Sequence, residues 1–310
     1  MKKYPLGYGI VFITQKAMMA ILVVCLLACQ GSTQPTVQEA GEQMVPGSVP
    51  CKSWQAYPWL QGREPEGGCL FNCFPAPQGY IREAVSEGSF EEWLRFLPML
   101  PQQSPVKLHN GSLKYRQDVH AAVVDIDVGK RDLQQCADAV MRLRAEYLFA
   151  MGRQETIRFN FTNGMACPYV KWREGYRIRQ EGNQVAWYMG GQYDGSYTGF
   201  RRYLDLVFIY AGSASLQKEL SRVHDFREVK GGDVLIQGGS PGHAVIVLDV
   251  ARDAKGHKVF LLAQSYMPAQ DIHVLKNPES PGTAWYSLHE DDRMIATPEW
   301  TFYREDLRRF

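Results

Sequence analysis

The sequence predicts an α+β fold in which helices and antiparallel strands segregate instead of alternating. Two stretches carry that expectation. Asp132–Phe149 (DLQQCADAVMRLRAEYLF) repeats apolar residues at helical spacing through Leu133, Cys136, Ala137, Val140, Leu143, Tyr147 and Leu148. Gly232–Gln264 (GDVLIQGGSPGHAVIVLDVARDAKGHKVFLLAQ) reads as strands joined by glycine turns. No internal repeat is visible. A length of 310 residues allows one or two domains, and 45% hydrophobic with 22% charged residues is the composition of a globular chain. The formal net charge of +1, without a long basic run, gives no electrostatic reason to expect nucleic acid as a partner.

The N-terminus reads as an address. Lys2, Lys3 and Lys16 precede the short apolar run Ala17–Ala28 (AMMAILVVCLLA), the pattern of a secretory signal that is too short to span a bilayer comfortably. Leu26-Leu27-Ala28-Cys29 resembles the bacterial lipobox, so residues 1–28 are expected to be a lipoprotein signal peptide. Cys29 is then the lipidated residue that tethers the protein to a membrane of the cell envelope. Gln30 is not the aspartate that commonly retains lipoproteins at the inner membrane, which favours the outer membrane. Residues 29–78 are expected to be a tether followed by an irregular segment rich in Cys and Trp. Trp54, Trp59, Phe71 and Phe74 in that segment should pack on the body. Export permits disulfides. Cys51, Cys69, Cys73, Cys136 and Cys167 are an odd set, so at least one stays free or pairs between chains, and a local staple among the first three is expected.

Residues 79–310 are expected to form a single α+β domain. Tyr80–Val85 reads as a strand. Ser89-Phe90-Glu91-Glu92 fits a capping box opening a short helix that Pro98 stops. Asn110-Gly111 between alternating residues of Val106–Tyr115 signals a hairpin, and His120–Val128 a buried strand. Asp132 with Gln135 fits a second capping box, with a helix from Leu133 to about Phe149. Residues 156–190 alternate like strands with Gly turns, and Tyr197–Val223 is helical with a break at Gly212-Ser213. Short strands at WYSL and EWTFY close the chain.

Three residues suggest chemistry. Cys136 stands in the first turn of a helix, where the positive end of the helix dipole favours a thiolate nucleophile. The bland alternative is a small apolar residue on the core face. His243 is launched from the turn GGSPG at the head of the strand AVIVLDV, a placement that suits a general base and equally suits a histidine capping its own turn. If the hairpin turns about Ala254-Lys255-Gly256, residues 264–266 fall opposite His243, leaving Gln264, Ser265 and Tyr266 eligible to orient the ring. Gln264 is chosen because its amide oxygen can accept an imidazole N–H. Asp249, on the same strand face as His243 but roughly 20 Å away at strand rise, is too far to serve. Helix-start N–H groups, with Gln134 or Gln135 assisting, could bind an oxyanion. The other histidines show no metal-ligand spacing and no phosphate loop appears, so no cofactor is implied. The aromatic residues of Tyr169–Tyr203 fit either sheet packing or a platform for sugar or peptide.

Two resemblances follow from these motifs. DLQQCADAVMRLRAEYL, PGHAVIVLDVA, FLLAQSYMPAQDIHVL and TPEWTF closely resemble a bacterial lipoprotein family catalogued as domain-of-unknown-function family 4846, from about Gly79 to Phe310. That resemblance implies kinship without an activity. More distantly, GDVLI, GHAVIV and LLAQS resemble the core of CHAP and NlpC-type amidases, whose papain-like fold packs a helix on an antiparallel sheet. It implies a cysteine hydrolase acting on cell-wall peptide or another amide, with Cys136, His243 and Gln264 as its catalytic set. Two departures stand out: a long insertion between Cys136 and Gly232, and no helper glutamine a few residues ahead of the cysteine as in papain. The rival expectation is a non-catalytic envelope lipoprotein that binds wall glycan or a protein partner.

Overall fold

The strand that begins at His243 organises the molecule. A computed structural model describes residues 50–182, 184–287 and 292–310. The signal peptide, Cys29 and most of the tether lie outside the described residues. In chain order come α1 (Leu70–Cys73), β1 (Tyr80–Arg82), α2 (Phe90–Arg95), β2 (His120–Val123) and α3 (Cys136–Ala150). Next are β3 (Arg158–Asn160), β4 (Ala166–Pro168), α4 (Tyr169–Arg173), β5 (Tyr176–Glu181) and β6 (Gln184–Met189). Helices α5 (Tyr197–Tyr210) and α6 (Ser213–Glu219) precede β7 (Ser221–Arg222), β8 (Val234–Gln237), β9 (His243–Asp253) and β10 (Lys258–Gln264). The chain ends with β11 (His273–Leu275), β12 (Trp285–Ser287), β13 (Met294–Ala296), β14 (Thr301–Tyr303) and β15 (Leu307–Arg309).

Among the described residues, nine strands form one antiparallel sheet in the order β2-β11-β10-β9-β8-β15-β7, with β1 also on β9 and β12 also on β10. Three separate hairpin pairs, β3–β4, β5–β6 and β13–β14, stand apart. The protein is thus a mixed helix and antiparallel-sheet fold. Alternation along the strands sends side chains to two cores. Ile236, Ala244, Ile246, Leu261 and Ala263 face the core that holds α2, α3 and α5. Leu235, Val245, Val247, Leu262 and Leu275 face a smaller core closed by Phe302 and Leu307. Each fully buried Val, Leu or Ile here contributes about 1.5–3 kcal/mol, and β9 is buried from His243 to Ala251. The larger core reaches back to Tyr57, Leu60 and Leu70, and a Cys51–Cys69 disulfide closes the irregular segment locally.

Several elements differ from the sequence expectation. Helix α3 starts at Cys136, not Leu133, because the Asp132 carboxylate turns away to accept from the Ala269 N–H at 2.7 Å. Asp138 performs the capping role instead, accepting from the Gln135 N–H at 3.0 Å. YVKWR is the helix α4 rather than strand: Pro168 precedes it with extended dihedrals, and Tyr169 turns into the core. Asn110-Gly111 makes a turn closed by the single bridge Lys107–Leu113, with the Asn110 side chain accepting from the Ser112 N–H at 3.0 Å. The strand expected over His120–Val128 ends at Val123.

Candidate active site

Polar side chains gather in a row along the sheet: His120 of β2, paired with Leu275 but with its ring 6.1 Å from that of His273, and then the residues at one end of β11, β10, β9 and β8, which are His273, Gln264, His243 and Gln237. Each of the last four lies two residues from an apolar side chain of the smaller core, so all four share that face. Gln237 is the register partner of His243, and His273 that of Gln264. The row is wired by hydrogen bonds. His243 Nε2 lies 2.8 Å from Gln264 Oε1, and Gln264 Nε2 lies 3.3 Å from His273 Nε2. The same Gln264 nitrogen donates to Glu299 Oε2 at 2.7 Å, while Glu299 Oε1 is ion-paired with Lys114 at 2.9 Å. Aromatic rings close over His243: Tyr266, Trp300 and Phe302 lie 4.9, 5.4 and 5.8 Å from it, centre to centre.

The turn ahead of His243 is set by backbone proximity. Gly239 adopts φ 144°, and a methyl group on Gly242 would stand 2.6 Å from the Gly239 carbonyl oxygen and 2.8 Å from that of Gln237. His243 is thereby fixed as the first residue of β9.

Cys136 is the first residue of α3, and the backbone N–H of Ala244, the residue after His243, is close enough to favour its thiolate. Ser265, between Gln264 and Tyr266, turns the other way, and its one hydroxyl proton is shared between the Gln134 and Gln270 carbonyl oxygens at 3.0 and 2.8 Å. Residues 264–266, interchangeable by sequence, therefore take three separate roles: hydrogen bond to the imidazole, tie to the helix start, and ring cover. Among the described residues no hydrogen bond joins the Cys136 sulfur directly to the imidazole.

Burial dominates the electrostatics. Cys136 is 9% exposed, His243 1% and Gln264 1%. Burial pushes the Cys136 thiol up despite the helix-start dipole and the Ala244 N–H, contrary to the thiolate expected from its position. Burial likewise pulls His243 down to about 4, an effect the Gln264 hydrogen bond only partly opposes. The thiol and the imidazole are thus both neutral at rest. Cys73 and Cys167 are also free, and burial lifts the Cys167 thiol to about 12. The Gln134 side-chain oxygen accepts from Arg142 at 2.5 Å, and its Nε2 is buried without an acceptor among the described residues.

Other candidates separate from this site. A bulge leaves Leu248 without a partner as the register passes from Leu261–Asp249 to Leu262–Val247. It turns Asp249 away from the His243 face, correcting the expectation of a shared face, and Arg82 and Arg95 pair with it at 2.6 and 2.8 Å. The aromatic residues of 169–203 serve mainly as packing: Tyr169 and Tyr203 are fully buried, and Arg177 stacks on Trp172 at 4.1 Å. Among the described residues no group of three or more His, Cys, Asp or Glu could hold a metal ion, and no helix is long and apolar enough to cross a membrane. Cavities of about 400, 320, 640 and 930 Å³ are lined by neither Cys136 nor His243.

Sequence reasoning misses His273, Glu299 and Lys114. His273 reads as a scattered histidine, and only the strand order β11-β10-β9 brings it into the row. Glu299 and Lys114 lie in stretches that read as strand or hairpin, EWTFY and Val106–Tyr115, but nothing in either stretch points across to Gln264. No curated protein and no solved structure matches the chain. A family model described as Domain of unknown function (4846) matches residues 70–309, and the chain belongs to that family.

Proposed function

We propose that this protein is a cysteine hydrolase with a papain-like core, anchored by lipid on Cys29 in the bacterial envelope, that cleaves an amide in cell-wall peptide. One observation carries the reading: a cysteine opens a helix near the head of β9, and the histidine that begins that strand is hydrogen-bonded to a buried amide. The neutral state of both groups favours general-base activation over a preformed ion pair. The imidazole nitrogen not engaged by Gln264 takes the thiol proton as sulfur bonds to the substrate carbonyl carbon. N–H groups at the start of α3 receive the oxyanion. Collapse breaks the C–N bond, and the imidazolium returns its proton to the leaving amine. Water, deprotonated by the same ring, then releases the acyl group from sulfur. With His243 only 1% exposed, substrate access requires Tyr266 and Trp300 to shift.

The test is site-resolved alkylation of the free cysteines at neutral pH, with amine release from purified wall peptides. Cys136 should be modified ahead of Cys73 and Cys167, Cys136→Ala should abolish release, and His243→Ala should slow both by about 10²–10⁴-fold. The deep cover of His243 favours a second reading, a lipoprotein that only binds wall glycan or a protein partner. It predicts no preference for Cys136 and retained pull-down of wall material by Cys136→Ala.

A further inference from the structure

The hydrogen bonds around Gln264 form a chain whose donors and acceptors can be written in only one order. At one end His273 Nδ1 lies 2.8 Å from the Asp271 carbonyl oxygen. A carbonyl only accepts, so the His273 proton is on Nδ1 and its Nε2 carries the lone pair. That nitrogen is 3.3 Å from Gln264 Nε2, which must donate to it. The second hydrogen of the same amide goes to Glu299 Oε2 at 2.7 Å, and Glu299, paired with Lys114, offers only acceptor oxygens. Gln264 Oε1 is left to face His243 Nε2 at 2.8 Å, and an oxygen there requires Nε2 to carry the proton.

We propose that Glu299 and His273 are positioning residues that fix the direction of the Gln264 amide and thereby hold His243 as its Nε2–H tautomer, with Nδ1 as the free base. Reversing the amide would set its oxygen against a carboxylate and a lone-pair nitrogen together, two acceptor–acceptor contacts in a buried site. His243 would then have to accept at Nε2 and hold its proton on Nδ1, where it cannot take one from a thiol. Burial holds His273 neutral down to about pH 3, so its part in the chain persists across the working range. The catalytic consequence rests on the hydrolase reading above, whereas the proton order does not.

The experiment uses the full chain with ¹⁵N-labelled histidine and long-range ¹H–¹⁵N correlation at pH 7, which separates protonated from lone-pair ring nitrogens. His243 and His273 should show opposite tautomers, Nε2–H and Nδ1–H, with single-site His→Gln variants assigning the signals. Replacing the ion pair and the second acceptor together (Lys114→Met, Glu299→Leu, His273→Phe) should mix the His243 tautomers and slow Cys136 alkylation about tenfold or more. An Nδ1–H form of His243 in the unaltered protein overturns the proposal, as does a folded triple variant with an unchanged tautomer. Should the triple variant fail to fold, the unaltered protein's spectrum decides alone. Opposite tautomers with an unreactive Cys136 would remove the hydrolase and leave the proton order standing. A reactive Cys136 beside an Nδ1–H His243 would do the reverse.

Discussion

The two ends of β9 bury polar groups in opposite ways. At the Asp249 end a carboxylate is met by two guanidinium groups, from Arg82 on β1 and Arg95 on α2, so charge is matched within one cluster. At the His243 end the residues of the row are uncharged, His243 and His273 both having their protonated forms suppressed by burial, and only the Glu299–Lys114 pair behind them is ionic. The charged end clamps β1 and α2 to the sheet. The neutral end stores directional hydrogen bonds next to a thiol. One strand thus separates ionic clamping from neutral hydrogen bonding, and the bulge at Leu248 makes this separation by turning Asp249 to the other face.

The sharpest way to break the contrast is Asp249→Ala, which leaves two guanidinium groups buried without their carboxylate. It should cost about 3–5 kcal/mol, read from denaturant midpoints, and leave the His243 tautomer unchanged where the protein remains folded. A tautomer change in that variant would mean the ends are coupled.

Acid should act on the other end. A histidine depressed on folding is protonated first in the unfolded chain, so its contribution to stability is complete above pH 6.5 and is lost as pH falls. For His243 the loss runs from about 6.5 to about 4, and for His273 to about 3. A tenfold drop in proton affinity on folding is worth about 1.4 kcal/mol, so protonating His243 removes about 3 kcal/mol across its window. His243→Gln should flatten the pH dependence of unfolding there, and an unchanged slope would sink this account of the row. The same value places the acid limb of any hydrolysis near pH 4, with activity rising as the ring loses its proton.

A smaller effect sharpens the comparison. Gly242→Ala drives a methyl group against two carbonyl oxygens in the turn before His243 and should cost about 1–3 kcal/mol. Cys136 alkylation should slow in that variant more than Cys73 alkylation, because the turn aims His243 and does not touch Cys73.

How much of this is legible in the sequence depends on range. Apolar residues at helical spacing announce α3, and the run after His243 announces β9, because burial of one face is written locally. The start of α3 lies three residues beyond its expected place because Asp132 is used at long range by Ala269, and no local rule registers that competitor. Gln264 can be chosen from hairpin register and chemistry together. His273 and Glu299 cannot, since they reach Gln264 only through the loop that returns β11 and the one that carries Glu299. The bulge at Leu248 is equally silent, a single added residue with no distinctive composition.

The disulfide has a consequence of its own. Cys51 and Cys69 enclose the stretch whose Trp59 indole donates to the Asp125 carbonyl oxygen at 2.6 Å and whose Tyr57 and Leu60 enter the larger core. A link across 18 residues removes about 3 kcal/mol of chain freedom from the unfolded state. A mild reductant should therefore peel this N-terminal flap from the body while the sheet beneath keeps its protection from hydrogen exchange. The N-terminal segment then answers to the redox state of its surroundings more than the sheet does.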